Sequence, residues 1–181
     1  VIGTRPQLIK LAAIESARSV MNQNGHRIEN IIINTGQHFD YNMNDIFFTQ
    51  LNIPEPHYYL DINNMSHGAM TGRMLEKLEP ILMDIDPDWV VVFGDTNSTL
   101  AGALTARKLK LKVAHIEAGL RSYQNTMPEE INRVVTDRLS DLLFCPTERS
   151  CTNLAKEGYG NLPVEIFHCG DVMYDIFQIF Q

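Results

Sequence analysis

Four carboxylates, Asp95, Glu117, Glu129 and Glu130, fall between Gly94 and Arg133, each at a loop position after an apolar run, with Arg121 and Arg133 close by. Residues just beyond the carboxyl ends of parallel strands lie where open α/β sheets bind ligands and do chemistry. Ionised carboxylates are costly to bury unless paired, so several in one place point to charge matching or proton transfer. Taken singly, each is equally well explained as a solvated loop acid or a helix cap. The set is harder to explain that way.

Gly3-Thr4-Arg5-Pro6 lies between the first apolar residues and the first helix, where Rossmann-like folds place backbone amides that face a phosphate. It is neither G-x-G-x-x-G nor a P-loop, since no G-K-[ST] follows, so a nicotinamide dinucleotide site is poorly supported. Arg5 and Lys10 could hold an anionic substrate group, although Lys10 also fits a solvated helix face. Gly94-Asp95-Thr96 follows the apolar run WVVVF. Glycine there allows a close approach of backbone to ligand, while Asp95 or Asn97 could simply cap the next helix.

His115-Ile116-Glu117 has the H-x-E pattern of zinc deaminases, which also require a later P-C-x-x-C. Only Cys145-Pro146 occurs, in the wrong order, and no other histidines have paired ligand spacing. No metal site is expected. His38 follows a strand in Thr35-Gly36-Gln37-His38 and could reach the ligand edge, although an isolated histidine is more often structural. Pro128-Glu129-Glu130 opens a helix, where proline suits the first turn and acids suit the N-terminal dipole. That accounts for the position of these acids but not for their company with Asp95 and Glu117.

Short apolar runs alternating with amphipathic segments must position these residues, and they predict βαβ units around a doubly wound parallel sheet. Strands are expected at Val1-Ile2, Ile31–Asn34, Trp89–Phe93, Val113–Ile116, Leu142–Phe144 and Val164–His168. Helices are expected from Pro6 to about Asn24, and at Asn44–Leu51, His67–Asp84, Asn97–Leu109, Pro128–Leu139, Arg149–Glu157 and Val172–Phe180. Met70, Met74, Leu78, Ile81 and Leu82 recur at helical spacing and read as one buried stripe. No repeat, low-complexity tract or linker interrupts residues 1–181, which read as one domain.

A chain of 181 residues should bury roughly 70% of its unfolded surface. Its net charge of −7 argues against a nucleic-acid surface, though local arginines and helix N-termini can still bind phosphate. No membrane span or signal peptide is apparent. Cys145, Cys151 and Cys169 are odd in number and lack C-x-x-C spacing, as expected of thiols in a reducing cytosol. Val1-Ile2 reads as the tail of a longer strand, and the apolar IFQIFQ at the end has no cap. The chain is therefore expected to be part of a longer protein.

GTRPQLIK, TGQHFDYNMNDIFFTQLNIPEPHYYLDI, HGAMTGRML, GDTNSTLAGALTA, HIEAGLRS, MPEEINR and FCPTE, in that order, resemble the non-hydrolysing UDP-N-acetylglucosamine 2-epimerases. TGQHFD, NSTLAGA and CGDVM look most like the subgroup acting on UDP-2,3-diacetamido-2,3-dideoxyglucuronate. The resemblance implies the N-terminal Rossmann-like half of a two-domain, glycosyltransferase-B-like architecture, with the UDP-binding domain outside this chain. It implies Asp95, Glu117 and Glu129 as catalytic acids and bases. Arg5, Lys10, Gln37, His38, Thr96, Arg121, Asn132 and Arg133 are implied as substrate-binding. Position 7 is Gln where many members carry Glu, expected to reflect an altered sugar.

The implied partners are a UDP-sugar, the C-terminal domain and a second copy in a homodimer, in the cytoplasm, serving surface-polysaccharide synthesis. No cofactor is required, because epimerisation is redox-neutral, and the chain alone should not turn over. A glycosyltransferase of the same architecture and a catalytically silent UDP-sugar-binding module remain open alternatives, as does the identity of the sugar.

Overall fold

The computed structural model describes residues 1–37, 51 and 53–179. Helix α1 (Arg5–Gln23) is followed by strands β1 (Ile33–Asn34) and β2 (Tyr58–Tyr59) and helix α2 (His67–Ile85). Strand β3 (Trp89–Phe93), helix α3 (Asn97–Lys108), strand β4 (Lys112–Ile116) and helix α4 (Pro128–Leu139) come next. Strand β5 (Leu142–Cys145), helix α5 (Glu148–Lys156), a 3₁₀ turn at Tyr159–Asn161, strand β6 (Glu165–His168) and helix α6 (Val172–Ile179) complete the chain.

Among the described residues all strand pairing is parallel: β1 with β2, and β3-β4-β5-β6 in that order. Residues 1 and 2 join the two groups. Ile2 bridges Asn34 in parallel, exchanging backbone bonds with Ile33 and Thr35 at 2.9 and 2.8 Å, and the Val1 amine donates to the Val91 carbonyl at 2.8 Å. The first strand therefore lies in the middle of the sheet. The chain builds outward to β1 and β2, then returns and builds outward the other way from β3. That reversal puts Gly3-Thr4 and Gly94-Asp95 side by side at the carboxyl edge, the crevice where open α/β sheets bind ligands.

Period-two alternation in the strands feeds both faces of the sheet. Val90, Val92 and Val113 face Met70, Met74, Leu78 and Leu82 of α2 and Ala101, Ala103 and Ala106 of α3. Val91, Phe93 and Ile116 face Leu8, Leu11 and Ala12 of α1 and Ile176 of α6. Leu143 and Cys145 pack with Leu154 of α5 and Tyr159 in a smaller cluster. The small alanines of α3 let it sit close to the sheet, and β-branched strand residues supply the bulk.

The expected doubly wound parallel architecture is present, and most boundaries agree within two residues. Two differences matter. Strand β1 begins at Ile33, where its pairing with Tyr58 starts, and not at Ile31. Strand β2 was not anticipated; its two residues carry too short a pattern to register as a strand. The helix expected over 44–51 lies outside the described residues except for Leu51. Among the described residues, no helix is long and apolar enough to cross a membrane.

Candidate active site at the carboxyl edge of the sheet

The two turns that meet at the reversal are held by one buried side chain. Gln7 is 1% exposed. Its Oε1 accepts from the Gly3 and Thr4 amides at 2.8 and 3.1 Å. Its Nε2 donates to the Phe93 carbonyl at 2.7 Å and reaches the Thr96 and Thr99 hydroxyls at 3.0 and 2.9 Å. Every polar atom of this amide is used inside the fold, so Gln7 staples the two turns together. Gly3 is equally constrained, since a Cβ there would overlap Ser98 Oγ and Thr35 Oγ1.

Two cation–carboxylate pairs flank the turn after β3. Lys10, buried on α1, pairs with Glu117 at the end of β4. Arg133 of α4 pairs with Asp95 through Nη2 and holds Glu130 through Nη1 at 3.0 Å. Both Asp95 and Glu117 keep about a third of their side-chain surface open, at 30% and 29%. Gly94 runs between the pairs: a Cβ on it would stand 3.1 Å from Glu117 Oε2 and 3.5 Å from Lys10 Nζ, at a φ of +64° that disfavours side chains. Glu117 itself adopts φ +76°. A non-glycine residue held in that region is strained, and such strain concentrates at functional sites. Asn132 Nδ2 fixes the turn further by donating to the Asp95 carbonyl at 2.9 Å.

Glu130 works from behind. It is buried, and accepts from the Ser122 and Tyr123 amides, each at 2.9 Å, and from the Ser122 hydroxyl at 3.0 Å. Burial opposes its charge, but these donors and Arg133 outweigh that and hold its carboxyl below the usual range. For Arg133, burial again opposes the charge, and Asp95 and Glu130 more than restore it.

The structure therefore brings together Lys10, Asp95, Glu117, Asn132 and Arg133. Thr96 is adjacent, as the N-cap of α3: it is extended, and its hydroxyl accepts from the Thr99 amide at 3.3 Å. The cap foreseen for Asp95 or Asn97 falls to this residue, leaving the Asp95 carboxylate to Arg133. Gln37 joins from the β1 side, its Oε1 accepting from the Ser98 amide and hydroxyl at 3.0 and 2.7 Å. Arg5 is exposed in the first turn of α1, and Glu129 is half-buried in the first turn of α4. His38 lies outside the described residues.

Arg121 is placed differently. Its side chain is 1% exposed, bidentate to Glu157 at 2.7 and 2.8 Å, with Nη1 2.8 Å from Asp137. Burial works against its charge, yet the two acids raise its pKa. Asp137 and Glu157 hold it in the loop that follows β4. The residues the sequence did not single out are Asp137 and, in these roles, Gln7 and His115. The available signal was spacing: Glu130, Arg133 and Asp137 fall on one helical face. Among the described residues no cluster of metal-ligating side chains occurs.

Partly open carboxylates beside cations, on turns fixed by backbone bonds, can exchange protons with a bound molecule whose negative charge the cations attract. A family model described as UDP-N-acetylglucosamine 2-epimerase matches residues 21–181. The chain belongs to this family. It is 53% identical over 97% of its length to the UDP-2,3-diacetamido-2,3-dideoxy-D-glucuronate 2-epimerase of Pseudomonas aeruginosa, covering 48% of that protein. It is likewise 50% identical over 97% of its length to the UDP-N-acetylglucosamine 2-epimerase of Methanocaldococcus jannaschii, covering 46%.

A crystal structure of the M. jannaschii epimerase in complex with UDP-GlcNAc and UDP superposes with a TM-score of 0.82 at 50% identity, over 92% of this chain and 44% of that one. The Neisseria meningitidis epimerase bound to UDP-GlcNAc gives 0.85 at 34% identity, over 98% and 47%. This member of the epimerase family thus spans about half the length of the curated relatives it matches.

Proposed function

We propose that this chain supplies the acid–base half of an enzyme that inverts carbon 2 of a UDP-2-acetamido sugar by eliminating and re-adding UDP. The observation that carries the reading is the pairing of Asp95 with Arg133 and of Glu117 with Lys10 across Gly94, at the reversal of the sheet. A carboxylate takes the proton from carbon 2, the C–H electron pair becomes the C1–C2 double bond, and the C1–O pair leaves with UDP. Return of a proton to the opposite face, with UDP re-adding at carbon 1, completes the inversion. Asp95, Glu117 and Glu129 are the candidate acids and bases. Arg5, Lys10 and Arg133 are the candidate cations for the departing diphosphate.

A diphosphate would compete with Asp95 and Glu117 for Arg133 and Lys10. Binding would then leave the carboxylates less neutralised and more ready to take a proton. The relatives are named for either UDP-N-acetylglucosamine or the diacetamido glucuronate, and both sugars carry the acetamido group at carbon 2 that this chemistry needs. The reading assigns uridine recognition to a second domain, gives the chain alone no turnover, and includes a cytoplasmic homodimer serving surface-polysaccharide synthesis.

Isotope incorporation tests the reaction class. In deuterated water, a full-length enzyme whose first half is this sequence should convert UDP-GlcNAc or the diacetamido sugar into product carrying deuterium at carbon 2, read by proton NMR and mass spectrometry. Asp95→Asn or Glu117→Gln should slow this by roughly 100-fold, the usual worth of a general acid or base. Inverted product without label would exclude solvent-exchanging proton abstraction. Unlabelled sugar passed to an added acceptor would identify a transferase.

A further inference from the structure

Behind the two ion pairs lies a second, fully buried group of charges. His115, in the middle of this edge of β4, and Asp137, in the last turn of α4, are both 0% exposed at the side chain. His115 Nδ1 is 2.7 Å from Asp137 Oδ1, and Nε2 is 2.7 Å from the Gly94 carbonyl. A carbonyl can only accept, so Nε2 carries a proton. The Nδ1 contact requires another, so the ring and Asp137 together hold two. The second oxygen of Asp137 accepts from the Gly119 amide at 3.1 Å and from Arg121 at 2.8 Å.

We propose that His115 and Asp137 are positioning residues that lock the turn carrying Asp95 to the turn carrying Glu117. The inference rests on the function proposed above and goes further, by naming what fixes the spacing of the two carboxylates. The first turn is gripped through the Gly94 carbonyl by His115. The second is gripped two residues past Glu117, through the Gly119 amide by Asp137. One carboxylate therefore spans both.

The rest of the Gly94–Asp95 turn is fixed as well. The Gly94 amide donates to the Ile116 carbonyl at 2.9 Å, Asn132 holds the Asp95 carbonyl, and Arg133 holds the Asp95 carboxylate. Of these four grips, three come from α4 directly or through Asp137. A buried ionic group seldom adds net stability over apolar packing, so stability alone does not explain why charge is placed here. Preorganisation does: reacting groups misplaced by about 1 Å can lose roughly 100-fold in rate.

Two substitutions separate the grips. In His115→Gln the amide nitrogen falls near the Nε2 position and can still donate to Gly94. In His115→Asn it falls near Nδ1 and cannot reach. In a full-length enzyme containing this chain, His115→Asn should lower kcat by roughly 100-fold with KM changed little. His115→Gln should recover most of that rate. The ¹⁵N shift of the Asp95 amide, which shares its peptide with the Gly94 carbonyl, should move in the Asn variant and stay near wild type in the Gln variant.

The wild type should also show a slowly exchanging His115 Nε2 proton with a nuclear Overhauser contact to the Asp95 amide, so the geometry is tested even if neither variant folds. Equal kcat in the two folded variants, or absence of that proton, would overturn the positioning role. Absence of epimerisation by the wild type, with the NMR signatures intact, would instead overturn the functional reading and leave the lock standing.

Discussion

Helices α2 and α4 pack on either side of α3, yet they bury opposite kinds of surface. Helix α2 presents Met70, Met74, Leu78 and Leu82 to the core, the stripe expected from helical spacing. Helix α4 buries Glu130, Asn132, Thr136 and Asp137 and leaves Ile131 and Val134 52% and 41% exposed. Apolar burial stabilises in proportion to the area removed from water and needs no particular partner. Buried charge is tolerated only where each group finds its counterpart. The α2 side holds the fold together, while the α4 side sets the geometry of the turns bearing Asp95 and Glu117.

The largest test of that contrast removes the hub of the charged side. Asp137→Ala would leave Arg121, His115 and the Gly119 amide without their shared acceptor, and should cost about 3–5 kcal/mol in chemical denaturation, with turnover lost as well. A cost below about 1 kcal/mol would show the network to be slack. On the apolar side, Leu78→Ala should cost about 2–5 kcal/mol through its cavity, while turnover per folded molecule stays near wild type. A Leu78→Ala variant that kept its stability but lost turnover would reverse the assignment of the two faces.

A smaller effect sharpens the comparison through pH. The folded carboxyl of Glu130 lies below its ordinary value of 4.5, because amide donors and Arg133 overcome burial. Its contribution is therefore present above about pH 4.5 and lost as pH falls through the lower folded value. Urea midpoints of wild type and Glu130→Gln should differ at pH 7 and converge toward pH 3. A gap that widened on acidification would contradict the shift. No such pH dependence is expected of Leu78→Ala, which changes no titratable group.

The sequence by itself determined the parallel α/β architecture, the α2 stripe, the helix opened by Pro128 and the family, because these rest on periodicity, turn chemistry and ordered motifs, all local in the chain. Even the strand tail at Val1-Ile2 was legible beside Gly3, and Ile2 bridges Asn34. Only the tertiary structure decided which polar residues face one another. Gln7 reads as a change that reflects an altered sugar, and the fold ties its amide to Phe93, 86 positions away. Arg121 is implied as substrate-binding, and the fold pairs it with Asp137 and Glu157, while Thr96, not Asp95 or Asn97, caps α3. The His115–Asp137 lock joins a strand to a helix across 22 positions. A charged residue's role depends on the partner that the fold brings within about 3 Å, and single-residue chemistry does not encode that distance.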